Sequence, residues 1–273
     1  MTSPWLSELN IYPVKACRRT PLSAAQTGPR GLAGDREWMV VGDAGVFLSQ
    51  RTHPALARIV PRLTDTGLEL ASVGHPDLAV ASPTGPPEVV SVWRQPLTAR
   101  DAGPAAAAWL TAVLGSPVRL VRIDAAAERF ADRSFVGERD VPVAFSDGYP
   151  LLVCNSASLE ELNRRLPAPI PMERFRPNLV LSGLEPFAED ALAGVRVGAL
   201  TLEFVKPCVR CSVPSIDQLR GEPSTNPIPA LKAFRYDRQL RGVTFGVNAV
   251  LREAAGGEFV TGMLVAPLAL GAG

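Results

Sequence analysis

Two of the four cysteines of this chain stand three positions apart, in Val-Lys-Pro-Cys208-Val-Arg-Cys211. A Cys-x-x-Cys pair admits three chemistries: half of a zinc site, a redox dithiol, or one thiolate offered to a metal cofactor. A structural zinc ion takes four ligands, and a second Cys/His knuckle usually supplies two of them. The other candidates here are Cys17, Cys154, His53 and His75, scattered and unpaired. A thioredoxin-like pair opens a helix after a strand in a βαβ setting. Pro207 and Pro214 flank this pair instead, in a β-rich stretch. Two ordinary turn cysteines are the plain alternative. Arg210 immediately precedes Cys211, and a neighbouring guanidinium favours the thiolate, the form that binds metal.

Further cations sit at strand ends and turns rather than on helix faces. They are Lys15 in "YPVKAC", Arg36 in "GDREW", Arg51 in "LSQRTHP" and Arg176 in "FRPN". Pro177 biases Arg176 towards an extended backbone at the start of a strand. Brought together, these residues would hold a multiply anionic ligand, because guanidinium forks pair bidentately with phosphate. Taken singly, each reads as an ordinary surface charge. Convergence is not legible in one sequence.

The elements that must position them are mostly strands. Short apolar runs broken by 26 prolines and 23 glycines predict a β-rich barrel or sandwich. "LSELNIYPV", "REWMVV", "GVFLS", "ALARIVPRL", "GLELASV", "LAVAS", "EVVSVW" and "PVRLVRI" read as strands of a first part. "DAGPAAAAWLTAVLG" carries helix start and stop signals around strong helix formers. The charged, aperiodic segment 124–140 reads as a linker or mobile loop. Beyond it, "LLVC", "NLVLSG", "VRVGALTLEFV", "VTFGVNAVL" and "GEFVTGMLVA" read as strands. "SASLEELNRRL" reads as a helix with Ser158 and Glu161 at capping-box spacing. Two β-rich parts therefore divide near residue 123, with a few helices around the second.

Composition excludes several classes. The 273 residues are 47% apolar and 20% charged, with Lys+Arg 28 against Asp+Glu 27. A net charge of +1 provides no global field for nucleic acid or an anionic membrane. No signal peptide or membrane-spanning run is evident. Four cysteines are too few for a disulfide scaffold, so a cytoplasmic location is expected.

Taken in order, "IYPVKAC…GDREW", "ERFRPNLVLSG", "FAED" and "CVRCSVPSID" resemble the MOSC-domain proteins that carry an N-terminal β-barrel domain. The resemblance runs along nearly the whole chain and is nearest to the mitochondrial amidoxime-reducing component and its bacterial relatives. It implies an N-terminal β-barrel-like domain over 1–123 and a MOSC β-barrel domain with peripheral helices over 124–273. Together these make a β-rich α+β protein. The implied cofactor is the molybdenum cofactor, a pyranopterin dithiolene bearing a phosphate. By the same resemblance Cys211 is the metal ligand and catalytic residue. Lys15, Arg36, Arg176 and Asn178 match pterin or phosphate contacts. Asn155 and Ser156 at a helix start, and Arg210 beside the ligand, join that binding set. Arg51 and Asp217 match recurrent family residues in supporting roles.

The activity so implied is reduction of amidoximes, hydroxylamines or N-oxides. No cluster-binding cysteines follow the MOSC region, so a separate ferredoxin or cytochrome b5-type protein is expected to deliver the electrons. A cofactor or sulfur carrier without turnover is the alternative. A degenerate paralogue is a third, since Ala16 and Val209 stand where the family usually has serines, and "SVPSID" departs from the usual pocket wall.

Overall fold

Trp5–Ile11, with Leu6, Leu9 and Ile11 buried, is the strand on which the two halves of the chain meet. The computed structural model describes residues 3–252 and 256–270. Trp5–Ile11 pairs antiparallel with Thr20–Leu22 on one side and with Leu179–Ser182 on the other. The ladder continues through Leu151–Asn155, Gly242–Leu251, Leu200–Val209 and Leu192–Val197 to Val265–Ala269. Tyr236–Asp237 pairs beside it, completing nine strands. Ala24–Gly28 likewise pairs with Glu258–Val260. The division near residue 123 follows the order of the motifs, whereas the hydrogen-bonded ladders cross it.

Most pairings are antiparallel. Leu151–Asn155 and Leu179–Ser182 are parallel, which requires a crossover connection. Helix Ser156–Asn163 lies in that connection. The capping-box expectation is corrected here: Asn155, not Ser158, caps the helix by accepting the Ala157 N–H at 3.1 Å. Ser158 lies inside the first turn, and its hydroxyl is bonded to Glu189.

The second β-rich unit holds a four-stranded sheet of Trp38–Val41, Arg119–Ile123, Gln95–Asp101 and Pro87–Val92. A three-stranded sheet, Val60–Thr64, Gly67–Ser72 and His75–Ala81, completes it. Helix Pro104–Leu114 packs Ala106, Trp109 and Leu110 against Leu68, Leu70 and Leu120. Its ends follow the signals read in the sequence. Asp101 Oδ1 accepts the Gly103 N–H, Pro104 sits in the first turn, and Gly115 adopts the left-handed C-cap. The chain is thus β-rich α+β.

Several local expectations fail for physical reasons. "ALARIVPRL", residues 55–63, is not one strand: Pro54–Arg58 forms a 3₁₀ turn, and the strand begins only at Val60, running Val60–Thr64. "GVFLS" makes isolated bridges rather than a ladder. Gln95–Asp101 is a strand that the sequence signalled weakly, with Leu97 and Ala99 as its buried pair. Residues 124–140 are packed rather than a linker, with Asp124, Arg129, Ala131 and Val136 buried. Arg129 donates to the carbonyls of Ala144, Ser146 and Asp147. It thereby ties the segment to the site described next.

Candidate functional site

Both β-rich units contribute to a cavity of about 270 Å³. Six basic residues line it: Lys15, Arg36, Arg51, Arg176, Lys206 and Arg210. Among the described residues Asp147 is the single acid in its lining. Cys208 and Cys211 lie on the same wall. In a chain of net charge +1, this concentration makes a local positive field that the global balance conceals.

The cysteine pair leaves the end of the long strand Leu200–Val209. Cys208 is half-buried and Cys211 exposed. Among the described residues no third His, Cys, Asp or Glu joins them in a metal-binding group. The loop after Cys211 is anchored from two sides. Buried Arg174 reaches the Pro214 carbonyl at 3.3 Å and the Asp217 carboxylate at 3.1 Å. Gln218 exchanges two 2.9 Å side-chain amide bonds with Gln50 of the other unit. Arg18 adds bonds to the carbonyls of Gln218 and Leu219. Asp217 therefore positions the loop without lining the cavity.

Arg36 and Arg176 stand over Tyr12, with guanidinium carbons 4.5 and 4.2 Å from its ring centre. Burial pushes the Tyr12 phenol above its ordinary range, against the two guanidiniums, so it stays neutral and donates to the Pro177 carbonyl. Arg36 Nη1 is held by Asp35 at 2.5 Å and by Asn178 Oδ1 at 3.1 Å. Arg176 Nη1 donates to the Cys17 carbonyl at 2.7 Å. The expected extended backbone at Arg176 is corrected: its φ is 59° and its ψ 44°. Pro177 disfavours the right-handed helical region for this residue, and the chain turns left-handed instead.

Lys15 is buried, donating to the Phe145 carbonyl at 2.7 Å and to Asp147 Oδ1 at 2.5 Å. Burial lowers the Lys15 ammonium below the usual lysine range, and Asp147 restores part of the loss. Removal from water opposes the Asp147 charge, but Lys15, the Trp93 indole N–H and Arg36 outweigh it and hold the carboxyl low. Arg51 lies 4.7 Å from the Trp93 ring centre, a cation–π contact at the cavity edge.

Three sequence-based expectations change at this level. Asn155 and Ser156 do not line the cavity. Asn155 is fully buried, its oxygen capping the helix and its amide nitrogen bonded to Glu185 and Glu189. The Ser156 hydroxyl is bonded to Ser182. Arg210 does line the cavity, yet its Nη1 lies 3.0 Å from Cys208 Sγ and its Nη2 2.7 Å from the Phe175 carbonyl. Its guanidinium therefore serves the first cysteine rather than Cys211. Asn178 lines the cavity with its amide already committed to Arg36, Leu152 and Asn10. Lys206, Asp147 and Trp93 were missed. Asp147 had a faint signal, an acid in the turn-forming "SDGYP".

The unspent groups fit a phosphate-bearing molybdenum pterin. Arg210 Nε, Ser146 Oγ and Tyr149 Oη are buried without hydrogen-bond partners among the described residues, and all three residues line the cavity. Such orphaned polar atoms are expensive unless a ligand pairs them. Arg51 has a guanidinium with no hydrogen bond to the described residues, and Cys211 offers the soft sulfur donor that thiolate-bound metals take. Strain also gathers here. Among the described residues seven non-glycines have positive φ, and Ala16, Arg36, Trp93 and Arg176 of these line the cavity. Such conformations cost on the order of 1–3 kcal/mol each and cluster at functional sites.

Comparison with known proteins agrees with this geometry. The MOSC N-terminal beta barrel domain matches residues 3–117, and the MOSC domain matches residues 140–260. The chain is 32% identical over 253 residues to mitochondrial amidoxime-reducing component 1 of Xenopus laevis, spanning 87% of this chain and 74% of that protein. The human protein of the same name is 32% identical over 266 residues, spanning 90% of this chain and 78% of its own length. Molybdenum cofactor sulfurase of Danio rerio is 32% identical over 268 residues, 89% of this chain but 31% of that protein. Among the described residues no helix is long and apolar enough to cross a membrane. The chain belongs to the family that joins a MOSC N-terminal β-barrel domain to a MOSC domain.

Proposed function

We propose that this protein binds the molybdenum cofactor in the cavity and reduces N-hydroxylated compounds such as amidoximes, hydroxylamines or N-oxides. A separate ferredoxin or cytochrome b5-type protein would deliver the electrons. The observation that carries this reading is the convergence of six cations and an exposed thiol, Cys211, on one cavity. The relatives named amidoxime-reducing component support the activity. When bound, the cofactor supplies two-electron oxygen-atom chemistry that no side chain provides.

The chain's own residues have distinct tasks. Cys211 holds the metal through its sulfur. Arg176 and Arg51 offer unspent guanidinium N–H groups to anionic oxygens, and Arg210 offers its free Nε. Asn178 and Asp35 fix Arg36 beside Tyr12, so its charge is in place before a ligand arrives. Arg174, Asp217 and the Gln50–Gln218 pair keep the Cys211 loop in register with the cations. This pre-ordering reduces the entropy that ligand binding must supply.

The test is purification from a cofactor-competent host, with molybdenum and pterin measured per chain and benzamidoxime turnover assayed with a chemical electron donor. Stoichiometric molybdenum with turnover is the expected result. A folded protein without either metal or pterin refutes the reading. The similarity to a molybdenum cofactor sulfurase favours the carrier as second reading. Bound cofactor without turnover would select it.

A further inference from the structure

The tip of one hairpin is built against its own conformational preference. Trp93 and Arg94 are the two loop residues between Pro87–Val92 and Gln95–Asp101, closed by the Val92–Gln95 pair. Both have positive φ, 51° and 65°. Such a two-residue loop calls for Asn-Gly or Asp-Gly. Here it holds a tryptophan that lines the cavity and remains 44% exposed. Three contacts fix the ring. Its Nε1 donates to Asp147 Oδ1 at 3.0 Å, Phe47 meets it edgewise at 4.9 Å, and Arg51 lies 4.7 Å from its centre.

Asp147 supplies the second half of the feature. Its Oδ1 takes both Lys15 and Trp93. Its Oδ2 has no hydrogen-bond partner among the described residues, and the side chain is 73% exposed at the cavity. A rigid aromatic face thus stands beside a charged oxygen with open acceptor sites. A flat apolar group can stack on the ring, while adjacent N–H groups donate to Oδ2.

We propose that Trp93 and Asp147 form a specificity subsite for the planar, N–H-bearing amidine group of aromatic amidoximes and N-hydroxyguanidines. The subsite rests on the reductase reading for its biological meaning. N-oxides carry no N–H to offer Asp147, so the subsite ranks them below amidoximes. The pterin of the cofactor is also flat and rich in N–H groups, and the test must separate it from substrate.

Benzamidine, which is not reducible in this way, reports binding without turnover. The test is calorimetric titration of the cofactor-loaded protein with benzamidine and, separately, pyridine N-oxide. Trp93→Ala should weaken benzamidine binding roughly tenfold, the size of one lost aromatic contact, with molybdenum and pterin content unchanged. Trp93→Phe keeps the face and should stay within about threefold. Asp147→Asn should weaken benzamidine more than pyridine N-oxide. Unchanged benzamidine affinity in Trp93→Ala overturns the subsite, as does absence of wild-type binding. Loss of molybdenum and pterin from Trp93→Ala also overturns it, assigning the ring to the cofactor. A wild type that binds benzamidine through Trp93 but turns over no benzamidoxime keeps the subsite and removes the reductase reading. Turnover with unaltered binding in Trp93→Ala does the reverse.

Discussion

Replacing Asn178 by Ala tests whether the site is assembled by the sheet that joins the two halves. The side chain is buried and makes three hydrogen bonds, from Arg36 at 3.1 Å, from the Leu152 N–H at 3.2 Å and to the Asn10 carbonyl at 3.2 Å. Its main-chain bonds with Leu152 and Asn10, both 2.8 Å, survive the change. Each lost neutral bond is worth about 1 kcal/mol and the charged one about 2, so the loss is ~3–5 kcal/mol. In a chain of this size 1 kcal/mol shifts Tm by ~2–4 °C, which puts the expected drop at roughly 6–20 °C. Thermal melting by circular dichroism reads it, with the urea midpoint as a second measure. The Arg36 guanidinium would keep Asp35 and the Arg176 carbonyl as its hydrogen-bond partners among the described residues, so molybdenum retained through dialysis should fall as well. A drop below about 3 °C, outside the range expected for even two lost bonds, would show that Asn178 is not the fastener argued here.

Cys211→Ser should abolish molybdenum retention while leaving the Tm of the apoprotein within about 1 °C of the wild-type apoprotein, because an exposed side chain contributes little to stability; metal analysis and melting of variant and wild type check it. An aromatic disulfide reagent on the apoprotein should titrate Cys208 and Cys211 quickly and reach Cys17 and Cys154 only in denaturant. Burial pushes the Cys17 thiol up to about 12 and raises Cys154 too, so four fast thiols would contradict it. Burial raises the Glu189 carboxyl, against its bonds from Ser158 and Asn155. A raised folded-state value favours the folded protein below the ordinary glutamate range of about 4.5, and that contribution is lost as pH rises through it. Wild-type Tm should therefore decline towards neutral pH relative to Glu189→Gln, and parallel Tm–pH curves would refute the assignment. Ala16→Gly should raise Tm by roughly 1–3 °C, since relief of the left-handed strain exceeds the added chain entropy of glycine by a fraction of a kcal/mol. A lower Tm would show that φ 67° at Ala16 carries no cost.

Much of the architecture was legible because strands and turn residues leave local signals. The helix at 104–114 was read from Pro104, Gly115 and an alanine run. The ladder across the proposed domain division was not, since the pairing of Trp5–Ile11 with Leu179–Ser182 joins residues with no local pattern in common. Lys15, Arg36, Arg51 and Arg176 were found because cations at turns look misplaced. Asn155 was assigned to the cofactor by the resemblance to the family, but a buried Glu189 and the helix cap consume its amide. Arg210 was assigned to Cys211 by adjacency. In an extended chain successive side chains point to opposite faces, and the guanidinium folds back two residues to Cys208. Trp93 was unreadable because its loop breaks the usual turn composition.

The left-handed residues explain why such a site resists reading from sequence. At Arg36, Trp93 and Arg176 glycine would relieve the backbone at the price of the side chain that lines the cavity. A charged or aromatic side chain is therefore kept at a conformation that local preference opposes, at a cost of order 1 kcal/mol apiece. The surrounding contacts hold each one there: Asp35 and Asn178 for Arg36, the Cys17 carbonyl for Arg176, and Asp147 for Trp93. Apart from Asp35, those contacts come from segments remote in sequence, so the strain and its compensation become visible only together. Positive φ at a non-glycine, where the side chain faces a cavity and its partners lie far along the chain, is a physical mark of a site. In this protein it identifies Trp93 as readily as the two arginines that the motifs had already picked out.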